Sequence, residues 1–239
     1  MPAPDEWLRR LAKLPLACQP GAQWLYNTGS DILGVLIERV AGASLASFMR
    51  ERVFEPLGMR DTSFHVPPEK LDRFTTCTAT SMTTRKPELY DVVDGEWSKE
   101  PAFALGGAGL VSTIDDYLAF ARMLSGGGTV GKTRIVSRAA VEMMTSDQLT
   151  PSTKHASGAL TPGFFDDNGW GFGVSVATRR AQPWSVGTYG WNGGLGSWWH
   201  NDPREDMTLV LMTNRAWDSP SPPVSMRDFC TAAYAAIDD

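Results

Sequence analysis

The chain has 239 residues, of which 42% are hydrophobic and 21% charged, and its formal net charge is −5. This composition is that of an ordinary globular protein, and a chain of this length buries about 70% of its unfolded surface. The acidic balance without a basic block disfavours nucleic acid as a partner, and no apolar run approaches the length of a membrane span.

The first part of the chain is predicted to be helical. Apolar residues at helical spacing predict an amphipathic helix over residues 5–14 and a second helix over residues 31–40. Gly42 provides a C-terminal stop for the second helix. Ser44 is a suitable N-cap for a third helix that runs to residue 54.

The middle of the chain, residues 56–109, is predicted to be rich in loops. Strand-like pieces occur at residues 74–79 and 89–93. Thr113 is a suitable N-cap for a helix that runs to residue 124, and Ser137 caps another helix that runs to residue 144.

An exposed loop is predicted over residues 150–168, and the last third of the chain is predicted to consist mainly of strands. Runs rich in β-branched and aromatic residues predict four strands, at residues 170–177, 186–191, 195–201 and 207–213. Strands joined this closely should be antiparallel, because a parallel crossover needs a dozen or more residues. A final helix is predicted over residues 224–237.

This order of elements predicts an α+β fold, in which an antiparallel sheet has flanking helices and joins a mostly helical region. The predicted division is a helical and loop region over residues 1–168, followed by the strands and C-terminal helix over residues 169–239.

The three cysteines, Cys18, Cys77 and Cys230, lie far apart and form no C-x-x-C pair. Neither a zinc site nor a redox motif is indicated, so we expect no metal and no cofactor. The N-terminus shows no basic and then apolar signal pattern. If Met1 is the true start, a cytoplasmic location is favoured.

Residues 126–133 match the phosphate-binding pattern G-x-x-x-x-G-K-[ST] as a string. That loop needs a strand before it and a helix that begins at its lysine, so that helix-terminal amides meet the phosphates. Here a predicted helix precedes the string, and the next helix begins only after Ser137. We therefore predict a glycine-rich turn between a helix and a short strand.

Two hydrolase motifs are absent from the sequence, namely the nucleophile elbow G-x-S-x-G and the zinc-protease motif H-E-x-x-H. The three histidines, His65, His155 and His200, lie beside no serine in a recognisable arrangement. Each is predicted to be a loop or strand residue.

Several runs carry a resemblance to a known family. One is Tyr-Asn-Thr at residues 26–28, another is Pro-Leu-Gly-Met-Arg-Asp-Thr at 56–62, and a third is Gly-Gly-Ala-Gly-Leu-Val-Ser-Thr at 106–113. The Gly-Trp-Gly-Phe-Gly-Val run at 169–174 also fits. The chain resembles the serine β-lactamase-like hydrolases, the group of class C β-lactamases, esterases and DD-peptidases, over nearly its whole length.

The resemblance implies an active site of three elements: a Ser-x-x-Lys nucleophile, a Tyr-x-Asn proton relay, and a Lys/His/Trp-x-Gly strand that supplies an oxyanion amide. Tyr26 matches the second element, although Thr28 stands where Asn is usual. Trp191-x-Gly193 matches the third element, and the Gly194 N–H is the implied oxyanion donor. Because Thr28 lacks the Asn side chain and Trp191 offers no charge for a substrate carboxylate, the resemblance implies neutral esters rather than β-lactams.

Two structural alternatives to these roles stay open at the level of sequence. Tyr26 could be a surface or packing tyrosine, and Trp191 could be an aromatic that only packs on the sheet, in a chain with nine tryptophans.

The first element is missing from the sequence. The chain has six lysines, and the residues three positions before them are Arg10, Pro67, Thr83, Glu96, Thr129 and Pro151. None of them is serine, and the two threonines lie in loop-like or glycine-rich sequence. The resemblance therefore implies a truncated, C-terminal portion of such a hydrolase. Uncovered apolar surface would then favour a homo-oligomer or an N-terminal partner segment.

The expected function is hydrolysis of a small-molecule ester or amide by the intact protein, with this chain inactive alone. One alternative is a non-catalytic module that binds acylated small molecules or a partner chain. Another is a split enzyme whose serine comes from a separate chain.

Overall fold

The computed structural model describes residues 2–219 and 221–238. Its α-helices are α1 (Pro4–Leu11), α2 (Thr28–Ala41), α3 (Leu45–Met49), α4 (Glu55–Leu57), α5 (Ile114–Ser125), α6 (Arg138–Met144), α7 (Pro151–Ser157), α8 (Phe164–Asp167) and α9 (Val224–Ala235). A π-helical turn over Arg50–Phe54 joins α3 to α4, so the third predicted helix continues to Leu57 instead of ending at residue 54.

The strands are β1 (Cys77–Thr80), β2 (Pro87–Asp91), β3 (Thr129–Val130), β4 (Thr133–Arg134), β5 (Asn168–Trp170), β6 (Ser175–Ala177), β7 (Tyr189–Gly193), β8 (Ser197–Asp202) and β9 (Met207–Met212). β1 pairs with β2 and β3 with β4, each as an antiparallel hairpin. The other five strands form one antiparallel sheet in the order β5-β6-β7-β8-β9.

A helix covers each face of this central sheet. On one face, Ala121 of α5 is buried in a core that also contains Trp199 of β8. On the other face, Met226 and Cys230 of α9 are buried together with Trp198. Successive residues of a strand point to opposite faces, so neighbouring tryptophans of β8 serve the two cores. The predicted α+β fold with an antiparallel sheet and flanking helices is confirmed, whereas the division at residue 168 stays a prediction.

Three helix starts lie where the capping residues predict them. The hydroxyls of Ser44, Thr113 and Ser137 each accept a hydrogen bond from the backbone N–H three residues further on. Such a bond satisfies one of the backbone donors that the first helical turn leaves without a partner. The C-terminal helix also begins as predicted, at Val224, and ends at Ala235.

The glycine-rich string at residues 126–133 folds into the β3–β4 hairpin directly after α5. Gly128 has a φ of +91° there, and a Cβ at this position would lie 2.3 Å from the Val136 carbonyl oxygen. The prediction of a glycine-rich turn is confirmed, because the helix lies before the string and a strand follows.

The single strand predicted over residues 170–177 is wrong, because the chain reverses within it. The Gly171 N–H donates to the Val174 carbonyl at 2.8 Å, and Gly173 adopts a φ of +83°. This left-handed conformation is easily reached only by glycine. The segment therefore forms the β5–β6 hairpin, and the sheet has five strands instead of four.

The exposed loop predicted over residues 150–168 is also wrong, because this segment forms α7 and α8. The Thr150 hydroxyl accepts the Thr153 N–H at 3.1 Å, and Pro151 occupies the first turn of α7. Proline suits that position because its missing N–H would have no helical partner there. Ser157, at the end of α7, is fully buried.

No single helix in the described part of the chain is both long and apolar enough to cross a membrane. Only Thr28–Ala41 and Leu45–Leu57 taken together reach that length and composition, and they are bent by 80° relative to each other.

Candidate active site

The fold brings Tyr26 and Trp191 together, although 165 positions separate them in the chain. The Trp191 Nε1–H donates a hydrogen bond of 2.7 Å to the Tyr26 hydroxyl oxygen. Trp191 is held on β7, opposite Trp199 of β8, and Tyr26 lies just before α2. The Tyr26 side chain is 53% exposed, so its hydroxyl can still meet a ligand.

The backbone beside Tyr26 is strained. Asn27, the N-cap of α2, has φ +83° and ψ −78°. These are the angles of a γ-turn of the rare, strained kind, and a non-glycine residue persists there only when its surroundings impose it. The surroundings include a close approach by Gly107, whose N–H donates to the buried Asp31 carboxylate at 3.0 Å. The Tyr26 position is therefore fixed by the start of α2 rather than by a free loop.

The implied oxyanion donor lies in the turn that joins β7 to β8. The Gly196 N–H donates to the Gly193 carbonyl at 3.0 Å, and the Trp217 N–H donates to the Gly194 carbonyl at 2.8 Å. A Cβ on Gly193 would lie 2.2 Å from the Ser197 hydroxyl, so a larger residue here would require this hydroxyl to move. Within residues 2–219 and 221–238 the Gly194 N–H donates to no protein acceptor. The role of the two glycines stays a prediction.

Tyr26 and Trp191 belong to an aromatic cluster of six side chains: Trp24, Tyr26, Phe164, Phe165, Trp170 and Trp191. The centroids of the Trp170 and Trp191 rings are 4.5 Å apart, and those of Trp24 and Trp170 are 4.8 Å apart. The Tyr26 ring lies 5.6 Å from Trp191 and 6.1 Å from Trp170. These spacings are those of favourable aromatic pairs.

Helix α7 holds the Trp24 side of the aromatic cluster in place. The Trp24 N–H donates to the Ser157 hydroxyl at 2.8 Å, and that hydroxyl donates to the Thr153 carbonyl at 2.7 Å. The Gln23 side-chain amide also donates to the Ala156 carbonyl at 3.0 Å. The segment that carries Tyr26 is thus fastened to α7 two residues before the tyrosine.

Replacing Ser157 by alanine should lower the free energy of unfolding by about 1–3 kcal/mol, because the Trp24 N–H would lose its acceptor in a buried setting. Chemical denaturation of the purified chain measures this change. Ser152→Ala, an exposed change on the same helix, is the control and should stay within about 0.5 kcal/mol. Equal effects of the two changes would mean that the buried hydroxyl does not fasten Trp24.

The Trp170 side of the aromatic cluster is held by Asp147. This carboxylate accepts the Trp170 N–H and the Leu149 N–H, both at 3.1 Å, and forms an ion pair with Lys154 of α7. Burial disfavours the charged carboxylate, but the hydrogen bonds from Lys154 and the two N–H groups lower the pKa of Asp147. A charged Asp147 therefore ties α7 to the start of the sheet.

Most of the residues that surround Tyr26 and Trp191 were not predicted from the sequence. Trp24, Phe164, Phe165 and Trp170 were not singled out, and Ser157 lay in a segment predicted to be an exposed loop. The only signal was the density of aromatic residues between 164 and 172.

A serine activated by a lysine is not found among the described residues. The hydrogen bonds that lysine ammonium groups donate there go to the Arg60 carbonyl, Asp61 and Asp147. No described serine or threonine hydroxyl is bonded to a lysine, which agrees with the missing Ser-x-x-Lys element.

Comparison with known proteins gives a family match over most of the chain. The family model described as Beta-lactamase matches residues 1–227. Protein Rv1367c of Mycobacterium tuberculosis is 38% identical over 221 residues, which cover 90% of this chain and 54% of that protein. Esterase EstB of Burkholderia gladioli is 31% identical, with 97% of this chain and 59% of the esterase covered.

Solved structures give the same result. EstCE1, described as a hydrolase with promiscuous acyltransferase activity, matches with a TM-score of 0.75 and 27% identity. The matched region covers 91% of this chain and 58% of the EstCE1 chain. The LovD6 mutant of simvastatin synthase from Aspergillus terreus has a TM-score of 0.76 at 24% identity, covering 97% of this chain and 60% of its own, which shows the fold alone. The chain spans only about half to three fifths of the length of these relatives.

Proposed function

Since the chain belongs to the beta-lactamase family, we propose that the whole protein is a serine acyl hydrolase of the esterase type, acting on small-molecule esters. The observation that carries the proposal is the 2.7 Å hydrogen bond from the Trp191 indole to the Tyr26 hydroxyl. Relatives named as an esterase and as a hydrolase with acyltransferase activity support it.

In the proposed acylation step, a serine hydroxyl attacks the ester carbonyl and its proton passes to the Tyr26 oxygen, while Tyr26 passes its own proton to the lysine of the Ser-x-x-Lys segment. Donation from the Trp191 N–H holds that oxygen in position for the proton transfer. The Gly194 N–H stabilises the oxyanion of the tetrahedral intermediate. When the intermediate collapses, Tyr26 returns the proton to the departing alcohol, and water later releases the acyl group by the same route.

The proposed substrate is neutral. The rings within contact of Tyr26 and Trp191 are those of Trp24, Phe164 and Trp170. None of these groups carries a positive charge that could form an ion pair with a substrate carboxylate. A charged acid would therefore lose hydration there without gaining an ion pair, which costs free energy.

The serine has to come from residues other than these 239, on the same chain or on a second one. Apolar side chains of α2 offer a surface for such a segment, because four of them are 42–81% exposed on its outer side: Ile32, Leu33, Leu36 and Val40. A contiguous exposed apolar face of this kind marks an interaction site. This observation supports a version of the proposal in which a further segment, on the same or on a second polypeptide, packs on α2 and brings the nucleophile.

The proposal is tested with a fluorophosphonate probe and intact mass spectrometry. The chain alone should give no adduct. A fusion enzyme, in which the Ser-x-x-Lys segment of a family esterase precedes this chain, should give one adduct per molecule and hydrolyse p-nitrophenyl acetate. Replacement of the added serine by alanine should abolish both.

Two outcomes would overturn the proposal in different ways. A stoichiometric adduct on the chain alone would show that an activated serine lies within these residues, and peptide mapping would identify it. A folded fusion enzyme without adduct or turnover would show that the Tyr26 site does not serve acyl transfer.

A further inference from the structure

We infer that the aromatic cluster recognises a flat, neutral aromatic ring, so that aromatic esters are the preferred substrate class. The inference rests on the proposed function, because it assigns a substrate to the same site. Four rings beyond Tyr26 and Trp191 carry it: Trp24, Phe164, Phe165 and Trp170.

The aromatic cluster is separate from the hydrophobic core. The three buried apolar clusters among the described residues are built on Trp199, Leu45 and Trp198, and none contains a member of the aromatic cluster. Its rings are only partly buried, and Tyr26 is more than half exposed. Six aromatic side chains collected at one surface, next to a candidate catalytic hydroxyl, are suited to binding a ligand.

The ring geometry favours a planar ligand. Trp24 and Phe164 are nearly parallel, with 16° between their planes, whereas Phe165 meets Trp24 at 89° and Trp191 meets Trp170 at 84°. The rings of the aromatic cluster thus already combine stacked and edge-to-face packing among themselves. An aromatic guest gains stacked and edge-to-face contacts in addition to buried area, whereas a saturated ring of the same size gains area alone.

The charges around the aromatic cluster favour a neutral ligand. Lys154 forms an ion pair with Asp147, and Arg179 forms one with Asp167, so the charge of each cation is already balanced by a carboxylate. Asp166, next to Phe165, is exposed and would repel a carboxylate.

The backbone of the aromatic cluster is also fixed by hydrogen bonds within the protein. The hydrogen bonds of Trp24 to Ser157 and of Trp170 to Asp147 fix the backbone at both ends of the aromatic cluster. A recognition surface that is already ordered loses less entropy on binding than a mobile one.

Binding to the chain alone is the first test, because without the serine the esters stay intact. Two matched pairs serve as probes in ligand-observed NMR: benzyl acetate with cyclohexylmethyl acetate, and methyl phenylacetate with methyl cyclohexylacetate. The aromatic member of at least one pair should bind roughly three- to tenfold more tightly. Trp24→Leu should reduce this ratio to about one, whereas Trp7→Leu, outside the aromatic cluster, should leave it unchanged.

Circular dichroism verifies folding of each variant, and Phe165→Leu replaces Trp24→Leu if the latter unfolds. Equal binding within both pairs would overturn the inference. Tighter binding of acetylcholine than of benzyl acetate would also overturn it, because the aromatic cluster would then be a cation site.

Turnover by the fusion enzyme separates this inference from the proposed function. A higher kcat/KM for benzyl acetate than for cyclohexylmethyl acetate, lost in Trp24→Leu, supports both. Equal hydrolysis of the two esters of each pair would overturn the aromatic preference and leave the esterase function standing. No hydrolysis by a folded fusion enzyme, with the binding preference intact, would overturn the esterase function alone.

Discussion

Tyr26→Phe should lower kcat of the fusion enzyme by about 10²–10⁴-fold while KM changes little, because general acid–base catalysis contributes that much. The phenylalanine ring still fills the aromatic cluster, so the ester should bind as before. Only the oxygen that accepts the Trp191 N–H, and that we propose relays the proton, is removed. Steady-state kinetics with p-nitrophenyl acetate measures the change.

Two further variants define the role of the hydroxyl. Trp191→Phe keeps a ring but removes the N–H donor, and should cost about two- to tenfold in kcat, since one hydrogen bond contributes about 0.5–1.5 kcal/mol. Tyr90→Phe, an exposed tyrosine that packs on Trp97, is the matched control and should have no effect. If Tyr26→Phe behaved like Tyr90→Phe, Tyr26 would be a packing residue, the alternative that its sequence left open.

Local chemistry explains why much of the fold could be predicted from the sequence. A capping hydroxyl such as that of Thr113 or Ser137 acts within three residues, so its signal survives any tertiary context. The antiparallel sheet was predictable for a similar reason, since short connections between strands leave no room for a parallel crossover.

The α7–α8 segment could not be recognised as helical by its apolar pattern. Residues 151–157 are largely polar, and the segment lacks the helical spacing of apolar residues that identifies other helices. Thr150 caps α7 and Pro151 occupies its first turn, but no apolar periodicity follows them in the sequence. Tertiary contact stabilises the helix instead, because Ser157 is buried against the Trp24 segment.

Only part of the candidate site could be predicted from the sequence. Family resemblance singled out Tyr26 and Trp191, and the structure places them in direct contact. The four other rings come from three separate segments of the chain and converge only in the folded state. No sequence pattern at one position encodes such convergence, which is why the substrate preference had to be inferred from the structure.

Acid should destabilise the chain through His200, which lies on β8 between Trp184 and Trp198, with ring centroids 5.1 and 4.4 Å away. Its Nδ1 is buried and has no hydrogen-bond partner among the described residues. Burial lowers the pKa of His200 from 6.5 to about 3, with Asp202 opposing the shift. The folded state therefore holds a neutral imidazole at every pH at which the unfolded chain begins to take up a proton.

The free energy of unfolding should therefore decrease as the pH falls. With a folded pKa below the unfolded one, the stability is complete above pH 6.5 and is lost as the pH falls from 6.5 towards 3. Between pH 6.5 and 4.5 the free energy of unfolding should fall by about 2 kcal/mol, to order of magnitude. The aspartates of lowered pKa, such as Asp61, whose ordinary value is 3.8, lose most of their contribution below about pH 4.5, so the histidine dominates this window.

His200→Phe should remove most of this pH dependence, because phenylalanine has a similar shape and takes up no proton. It should leave the free energy of unfolding at pH 7 unchanged or higher, because a phenylalanine ring has no buried nitrogen that needs a hydrogen-bond partner. Denaturant titrations at pH 4.5 and 7 compare it with His155→Phe, an exposed control on α7 that should keep the wild-type slope. If His200→Phe kept the wild-type dependence of the free energy of unfolding on pH, the imidazole would have to be hydrated in the folded chain. The packing of α9 against this face of the sheet would then be looser than its contacts with Trp198 indicate.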